Sequence, residues 1–308
     1  VRPRSGTDIG VALDVLRRGG IVGLPTETVY GLAADADNPD AVHRVFAAKG
    51  RPGDHPLIVH IASVDDLPAW ADEPSPEAVR LAELCWPGPL TIIVPAARRV
   101  IPEVTGGRAT VGLRAPAHPL ALELLRAFGG GLAAPSANRF GRVSPTTAQH
   151  VLDDLGIAVD YVLDGGACTV GVESTIVDCT TQPTQVLRPG GIGVEDVERL
   201  IDGPVADAAG PSRAPGMLAS HYAPACPITL VDDPADARRV AHEAHGRGER
   251  IAILDRTDDL VAYAHDLYDS FRRADAAGMD SIVAVMPPSS GLGHAIRDRL
   301  VKASAPRQ

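Results

Sequence analysis

IVGLPTETVYGL, residues 21–32, decides how the fold is read. Ile21 to Leu24 is a short apolar run that stops at Pro25, the pattern of a buried strand. Thr26, Glu27 and Thr28 follow at once, so two hydroxyls and a carboxylate are delivered at a strand's C-terminal end, where open α/β sheets place their ligands. Before it, Ile9 to Arg18 spaces Val11, Leu13 and Leu16 as a helix that Gly19 and Gly20 stop. After it, Pro39 stands at a first helical position behind Asn38, and Val42, Val45 and Phe46 give an apolar face that ends near Lys49. Further strands are predicted at 57–61, 90–94, 110–113, 132–134, 161–163, 174–177 and 185–187. The fold class is therefore α/β.

Beyond residue 201 the pattern changes. Residues 202–216, DGPVADAAGPSRAPG, lack apolar periodicity and have a linker's composition, which divides the chain into residues 1–201, a linker at 202–224 and a second unit at 225–308. In that second unit, strands at 228–231, 251–254 and 281–285 alternate with helices near 236–245, 260–276 and 294–303, an order that implies a small parallel sheet.

Composition narrows the function. Among 308 residues, 45% are hydrophobic and 22% charged, ordinary globular usage, and no run reaches the roughly 18 apolar residues of a membrane span. The N-terminal VRPRSGTDIG lacks an apolar core or cleavage site, so a cytoplasmic location is expected. Cys85, Cys168, Cys179 and Cys226 form no C-x-x-C pair and read as buried free thiols rather than a zinc or disulfide framework. A net charge of -10 disfavours nonspecific binding to nucleic acid or anionic lipid. Residues 104–152 run against that balance, with Arg108, Arg114, Arg126, Arg139 and Arg142 against the single acid Glu123, and mark the expected anion site.

No Walker A sequence and no G-x-S-x-G elbow occurs. Gly291-Leu292-Gly293 lacks the third glycine of a dinucleotide fingerprint and reads as a helix start, and His242 and His245 lack a third metal ligand. The chemistry lies in three loops. The first is PTETVYGL. The second, KGRPGDHPLIVH at 49–60, sets Lys49, one of only two lysines, beside Arg51 across a glycine, a point charge and a fork suited together to a polyphosphate. The third runs from Pro135-Ser136-Ala137-Asn138 to Ser144 and Thr147, hydroxyls after a strand and at a helix start.

PTETVYGL, KGRPGDHPLIVH, VGLRAPAHP, AAPSANRFGRVSPT, GVESTIVD and VLRPG resemble, in order and spacing, the YrdC-like catalytic domain of the L-threonylcarbamoyladenylate synthase family. GMLASHYAP, LYDSFRRADAAGMDSIVAV and GLGHAIRDRLVKA are similar to that family's larger form, with a linker and a C-terminal Rossmann-like domain. The resemblance implies an open twisted α/β sheet followed by a small Rossmann-like parallel-sheet domain. It also implies condensation of L-threonine, bicarbonate and ATP, with Mg2+ accompanying the nucleotide, into threonylcarbamoyl-AMP and pyrophosphate. The product would serve downstream tRNA threonylcarbamoyl-transfer proteins, with no membrane involved.

Carried over position by position, the resemblance assigns L-threonine to Thr28, His60, Arg114, Ala134 through its main chain, and Ser174. It assigns ATP to Arg51, His55, Thr110, Ser136, Ser144, Arg188 and Tyr222. Lys49 and Arg51 are the expected catalytic cations, and no resident metal ligands are expected. His55 stands where the family often has asparagine, and Leu218 where many members have lysine. Two other readings compete. A double-stranded RNA-binding module would rest on the arginines of 104–152 alone. A hydrogenase-maturation type carbamoyltransferase would need acylphosphatase-like and zinc-finger segments that the sequence does not contain.

Overall fold

The computed structural model describes residues 4–209, 214, 215 and 222–306. The first unit runs β1 (Arg4–Gly6), α1 (Ile9–Arg17), β2 (Val22–Leu24), β3 (Gly31–Asp35), α2 (Pro39–Lys49), β4 (Ile58–His60), α3 (Leu67–Trp70), α4 (Pro76–Cys85), β5 (Leu90–Pro95) and α5 (Pro102–Thr105). It continues β6 (Thr110–Arg114), α6 (Pro119–Phe128), β7 (Leu132–Ala133), α7 (Ala148–Leu155), β8 (Tyr161–Leu163), β9 (Thr175–Asp178), β10 (Gln185–Arg188), α8 (Val194–Ile201) and β11 (Ala206–Asp207). The second unit is β12 (Ile228–Val231), α9 (Pro234–Gly246), β13 (Ile251–Leu254), α10 (Leu260–Ala276), β14 (Ser281–Val285) and α11 (Leu292–Ser304).

The first eleven strands make one mixed sheet in the order β1-β8-β2-β3-β7-β4-β6-β5-β9-β10-β11, and the last three a wholly parallel sheet in the order β12-β14-β13. Every strand expected from the sequence is present within a residue or two. β3 was not expected: GLAAD has no β-branched residue and so carries little strand signal of its own. β11 lies inside the segment read as linker, yet it pairs with β10 and extends the first sheet to Asp207.

Local chemistry sets the helix ends. Asn38 caps α2 by accepting from the amide of Ala41, Pro39 takes the first turn, and Gly50 closes the helix in the left-handed region. Strand alternation then builds a layer on each side of the sheet. Leu32 and Ala34 of β3 pack with α2 and α7, while Ala33 packs with α1 and α6. Around β4, β5, β9 and β10, one face is covered by a cluster that includes Trp70, Leu81 and Val197. The other face presents Ile58, Ile93, Ile176 and Leu187 to Ala214 of the connecting segment. That face is the floor of the cleft described next.

The two units share a core. Val29, Val143 and Val172 of the first sit in one apolar cluster with Tyr263, Tyr268, Phe271 and Ile296 of the second. Arg272 bridges to Asp154 at 3.0 Å and donates to Val143 O at 2.5 Å, and His294 meets Glu195 at 3.0 Å. Gly171 lets α10 approach, because a Cβ there would lie 2.4 Å from Ala264 O.

Candidate active site

A cleft of about 560 Å3, mouth included, opens on that sheet face, within the range of small-molecule sites. Its walls are the three loops picked out above, together with Glu173, Ser174 and Arg188 and, from the connecting segment, Pro215 and Tyr222. Thr26 orders the first loop: its hydroxyl donates to Val29 O at 2.6 Å, accepts from the amides of Thr28 and Val29, and pairs with Thr28 Oγ1 at 2.8 Å. Gly31 lets this loop touch the third, since a Cβ there would lie 3.2 Å from that of Ala134.

Arg114, at the end of β6, is 4% exposed. Its Nη2 donates to Glu27 Oε1 at 2.6 Å and its Nε to Gly88 O at 3.1 Å, while Glu27 Oε2 accepts from the amide of Ala117 at 3.0 Å. One edge of the guanidinium is therefore committed to the protein, which leaves Nη1 as the nitrogen able to meet a substrate anion. His60 pairs in register with Arg114 across β4 and β6. Burial first, then the Arg114 charge, depress its pKa to about 3, so the ring is neutral, and its Nδ1 has no hydrogen-bond partner among the described residues. A neutral imidazole with an open nitrogen suits a hydroxyl or amine of a bound amino acid.

Ser174 pairs its hydroxyl with Thr91 Oγ1 at 2.8 Å. Arg188 donates through Nε and Nη2 to Ser174 O at 3.2 and 2.9 Å, and through Nη1 to Pro215 O at 3.2 Å. It thus ties the Ser174 end of the cleft to the connecting segment. Gly190 makes this packing possible, because a Cβ there would fall 2.3 Å from the Ser174 carbonyl carbon. Arg51 lines the cleft with Nε unpartnered among the described residues and with its guanidinium 5.7 Å from the Phe140 ring centre. Burial lowers its pKa to about 10, so it remains a cation at neutral pH.

All five positions expected to hold threonine, Thr28, His60, Arg114, Ala134 and Ser174, line this one cleft. Of the positions expected to hold ATP, Arg51, Ser136, Arg188 and Tyr222 line it as well, but His55, Thr110 and Ser144 do not. His55 packs edge-on against Phe140 at 5.5 Å, and Thr110 lines a smaller adjoining cavity with Ile58 and Pro215. Ser144 gives its hydroxyl to Glu173 Oε1 at 2.6 Å.

Lys49 departs from the phosphate-facing cation expected of it. It leaves the last turn of α2 behind the third loop, where Nζ donates to Ser136 O and Asn138 O at 2.5 Å each, so its hydrogen bonds order that loop from the rear. Burial, then the Arg51 charge, push its pKa well below the usual lysine value. Three of the arginines of residues 104–152 are engaged by the protein itself. Arg114 is buried on Glu27, Arg108 is tied to Asp54 O and Arg139 to Asp154 O. Sequence reasoning gave no role to Glu173, Tyr268 or Arg299; GVEST carried a carboxylate beside Ser174 as the one available signal, while its partners lie 95 and 126 residues away.

Comparison with known proteins decides what this cleft belongs to. Residues 14–190 match the Sua5/YciO/YrdC family model, described as telomere recombination, and residues 192–305 match the C-terminal domain of threonylcarbamoyl-AMP synthase. The chain belongs to the threonylcarbamoyl-AMP synthase family. It is 40% identical to the synthase of Pyrococcus abyssi over 97% of its own length and 94% of that protein, and 40% identical to that of Bacillus subtilis over 97% and 93%. The crystal structure of P. abyssi Sua5 complexed with L-threonine superposes with a TM-score of 0.91 at 37% identity, over 98% of this chain and 96% of that one. Family membership makes the chain an enzyme of nucleotidyl transfer in the two-domain form. The RNA-binding and carbamoyltransferase readings give way to the threonylcarbamoyl-AMP synthase family.

Proposed function

We propose that the cleft condenses L-threonine, bicarbonate and ATP into threonylcarbamoyl-AMP, pyrophosphate and water. The observation that carries this reading is the convergence of Thr28, His60, Arg114, Ala134 and Ser174 on one cleft with Arg51 and Ser136. Arg114 Nη1 takes the amino acid's carboxylate, with Glu27 fixing the guanidinium plane. The threonine amine captures the carbon of bicarbonate as a carbamate, and a carbamate oxygen attacks the α-phosphorus while pyrophosphate leaves. Such a step asks for positioning and for neutralisation of phosphoryl charge rather than a covalent nucleophile. Arg51 supplies the charge.

Tyr222 and Pro215 shield the mixed anhydride from water. Mg2+ would arrive on the phosphates of ATP. We place the reaction in the cytoplasm, with the product handed to tRNA threonylcarbamoyl-transfer proteins that modify the adenosine beside the anticodon. No helix among the described residues is long and apolar enough to cross a membrane.

The test is incubation with ATP, Mg2+, bicarbonate and labelled threonine, followed by mass spectrometry of the adenylate. Pyrophosphate release should require both threonine and bicarbonate. Release that ignores threonine would overturn the reading.

A further inference from the structure

Glu173 is a carboxylate on the wall of a cleft built for anions, and nothing in the chemistry above uses it. It is 5% exposed, and three side chains occupy its two oxygens. Ser144 Oγ donates to Oε1 at 2.6 Å, while Tyr268 OH and Arg299 Nε donate to Oε2 at 2.7 and 2.8 Å. Two of the three donors come from the second domain, Tyr268 from α10 and Arg299 from α11.

Arg299 has no exposed surface and reaches across the domain boundary in two further ways. Its Nη1 donates to Pro189 O at 3.0 Å, beside the Gly190 on which the Ser174 backbone rests, and its guanidinium lies 5.1 Å from the Tyr222 ring centre. Tyr222 also stacks on Tyr268, with ring centres 5.7 Å apart and planes at 29°. Burial works to raise the Glu173 carboxyl, but Arg299, Arg188 and the Ser144 hydroxyl outweigh it and hold the group at about 2. The charge is therefore permanent at working pH and cannot be relieved by protonation.

An uncovered carboxylate here would repel both a polyphosphate and the threonine carboxylate, since like charges in a low-dielectric cleft interact strongly. We propose that Arg299 and Tyr268 are positioning residues for nucleotide binding: they hold the Glu173 charge off the bound ATP and form the seat on which Tyr222 packs. The second domain thereby sets the nucleotide affinity of the first. This deepens the synthase reading and rests on the cleft being a nucleotide site.

The experiment is a cycle of substitutions in the full-length chain, read as the KM for ATP, the KM for threonine and kcat. Arg299→Met removes the covering cation and keeps an apolar stem. The KM for ATP should rise about tenfold or more, with a smaller change for threonine. Adding Glu173→Gln should then bring the KM for ATP back to within about threefold of the parent, because the charge that needed covering is gone. An unchanged KM for ATP in Arg299→Met, or a double variant as impaired as the single, overturns the proposal.

A buried carboxylate that loses its cation is destabilising, so Arg299→Met risks failing to fold. Tyr268→Phe keeps the ring stack and removes one donor only. It should raise the KM for ATP about threefold and leave the KM for threonine unaltered, and no change in ATP overturns the proposal. Direct calorimetry of ATP binding to the same proteins separates the two failures. If the parent binds ATP but makes no adenylate, the synthase reading falls while the affinity cycle still tests the role of Arg299.

Discussion

Lys49, Arg114 and His60 each acquire from the structure a consequence that residue type alone does not reveal. Lys49 holds Ser136 O and Asn138 O, so Lys49→Ala leaves two inward carbonyls without a donor, at a cost of about 1–3 kcal/mol each. Adenylate formation should fall at least about tenfold and the ligand-free Tm by several degrees. A lysine acting only on phosphate would leave the ligand-free melt where it was, so differential scanning fluorimetry checks the assignment. Arg114→Lys loses three differently aimed nitrogens at once. By calorimetry, threonine affinity should drop about 100-fold and ATP affinity by no more than a few-fold.

For His60, the folded pKa of about 3 lies below the unfolded value near 6.5, so the unfolded chain binds the extra proton between them. This contribution is intact above pH 6.5 and is lost toward pH 3, at about 1 kcal/mol per pH unit. Thermal melts should show a shallower decline from pH 7 to 5 in His60→Gln than in the parent.

At the scale of elements, the connecting segment turns out to be part of the first domain's construction. Asp207 pairs in the large sheet, Ala214 fills the apolar floor with Ile58, Ile93, Ile176 and Leu187, and the amide of Ala223 donates to Gly141 O at 3.2 Å. Ala214→Asp would bury a charge among aliphatic side chains, and should raise the KM for ATP and expose the segment to limited proteolysis. Hydrogen exchange at Ala214 and Ala223 should slow further when ATP and threonine are both present. Equal exchange with and without ligands would reduce the segment to a tether.

The sequence had shown a linker here because Gly, Pro, Ala and Asp carry no periodicity; what it could not show is that a small alanine of that segment packs on a floor of four aliphatic residues. The same limit explains β3, whose small residues fit a strand buried on both faces without advertising it. By contrast, β2, β4, β6 and β9 were legible as apolar runs, and so were the hydroxyls and arginine at their ends. His221 and Leu218, singled out in the sequence, lie outside the described residues.

For the whole molecule, the shared cluster of Val29, Val143 and Val172 with the second domain's aromatics makes independent unfolding unfavourable. Calorimetry should record one transition. Gly171 tests the coupling: its φ of 84° and its 2.4 Å approach to Ala264 O forbid a side chain, so Gly171→Ala should lower Tm by at least about 4 °C. It should also raise the KM for ATP by loosening α10, which carries Tyr268. Partners separated by 95 residues, as Glu173 and Tyr268 are, leave no trace in local pattern, which is why the second domain's part in the cleft was invisible before the fold was known.

Tyr222 carries a conformational cost that its contacts must meet. Its φ of 64° is a left-handed conformation that a side-chain-bearing residue adopts at a cost of about 1–2 kcal/mol. The stacked ring of Tyr268 and the Arg299 guanidinium hold it there. The second domain therefore holds a backbone torsion in the cleft wall that the connecting segment alone would not favour.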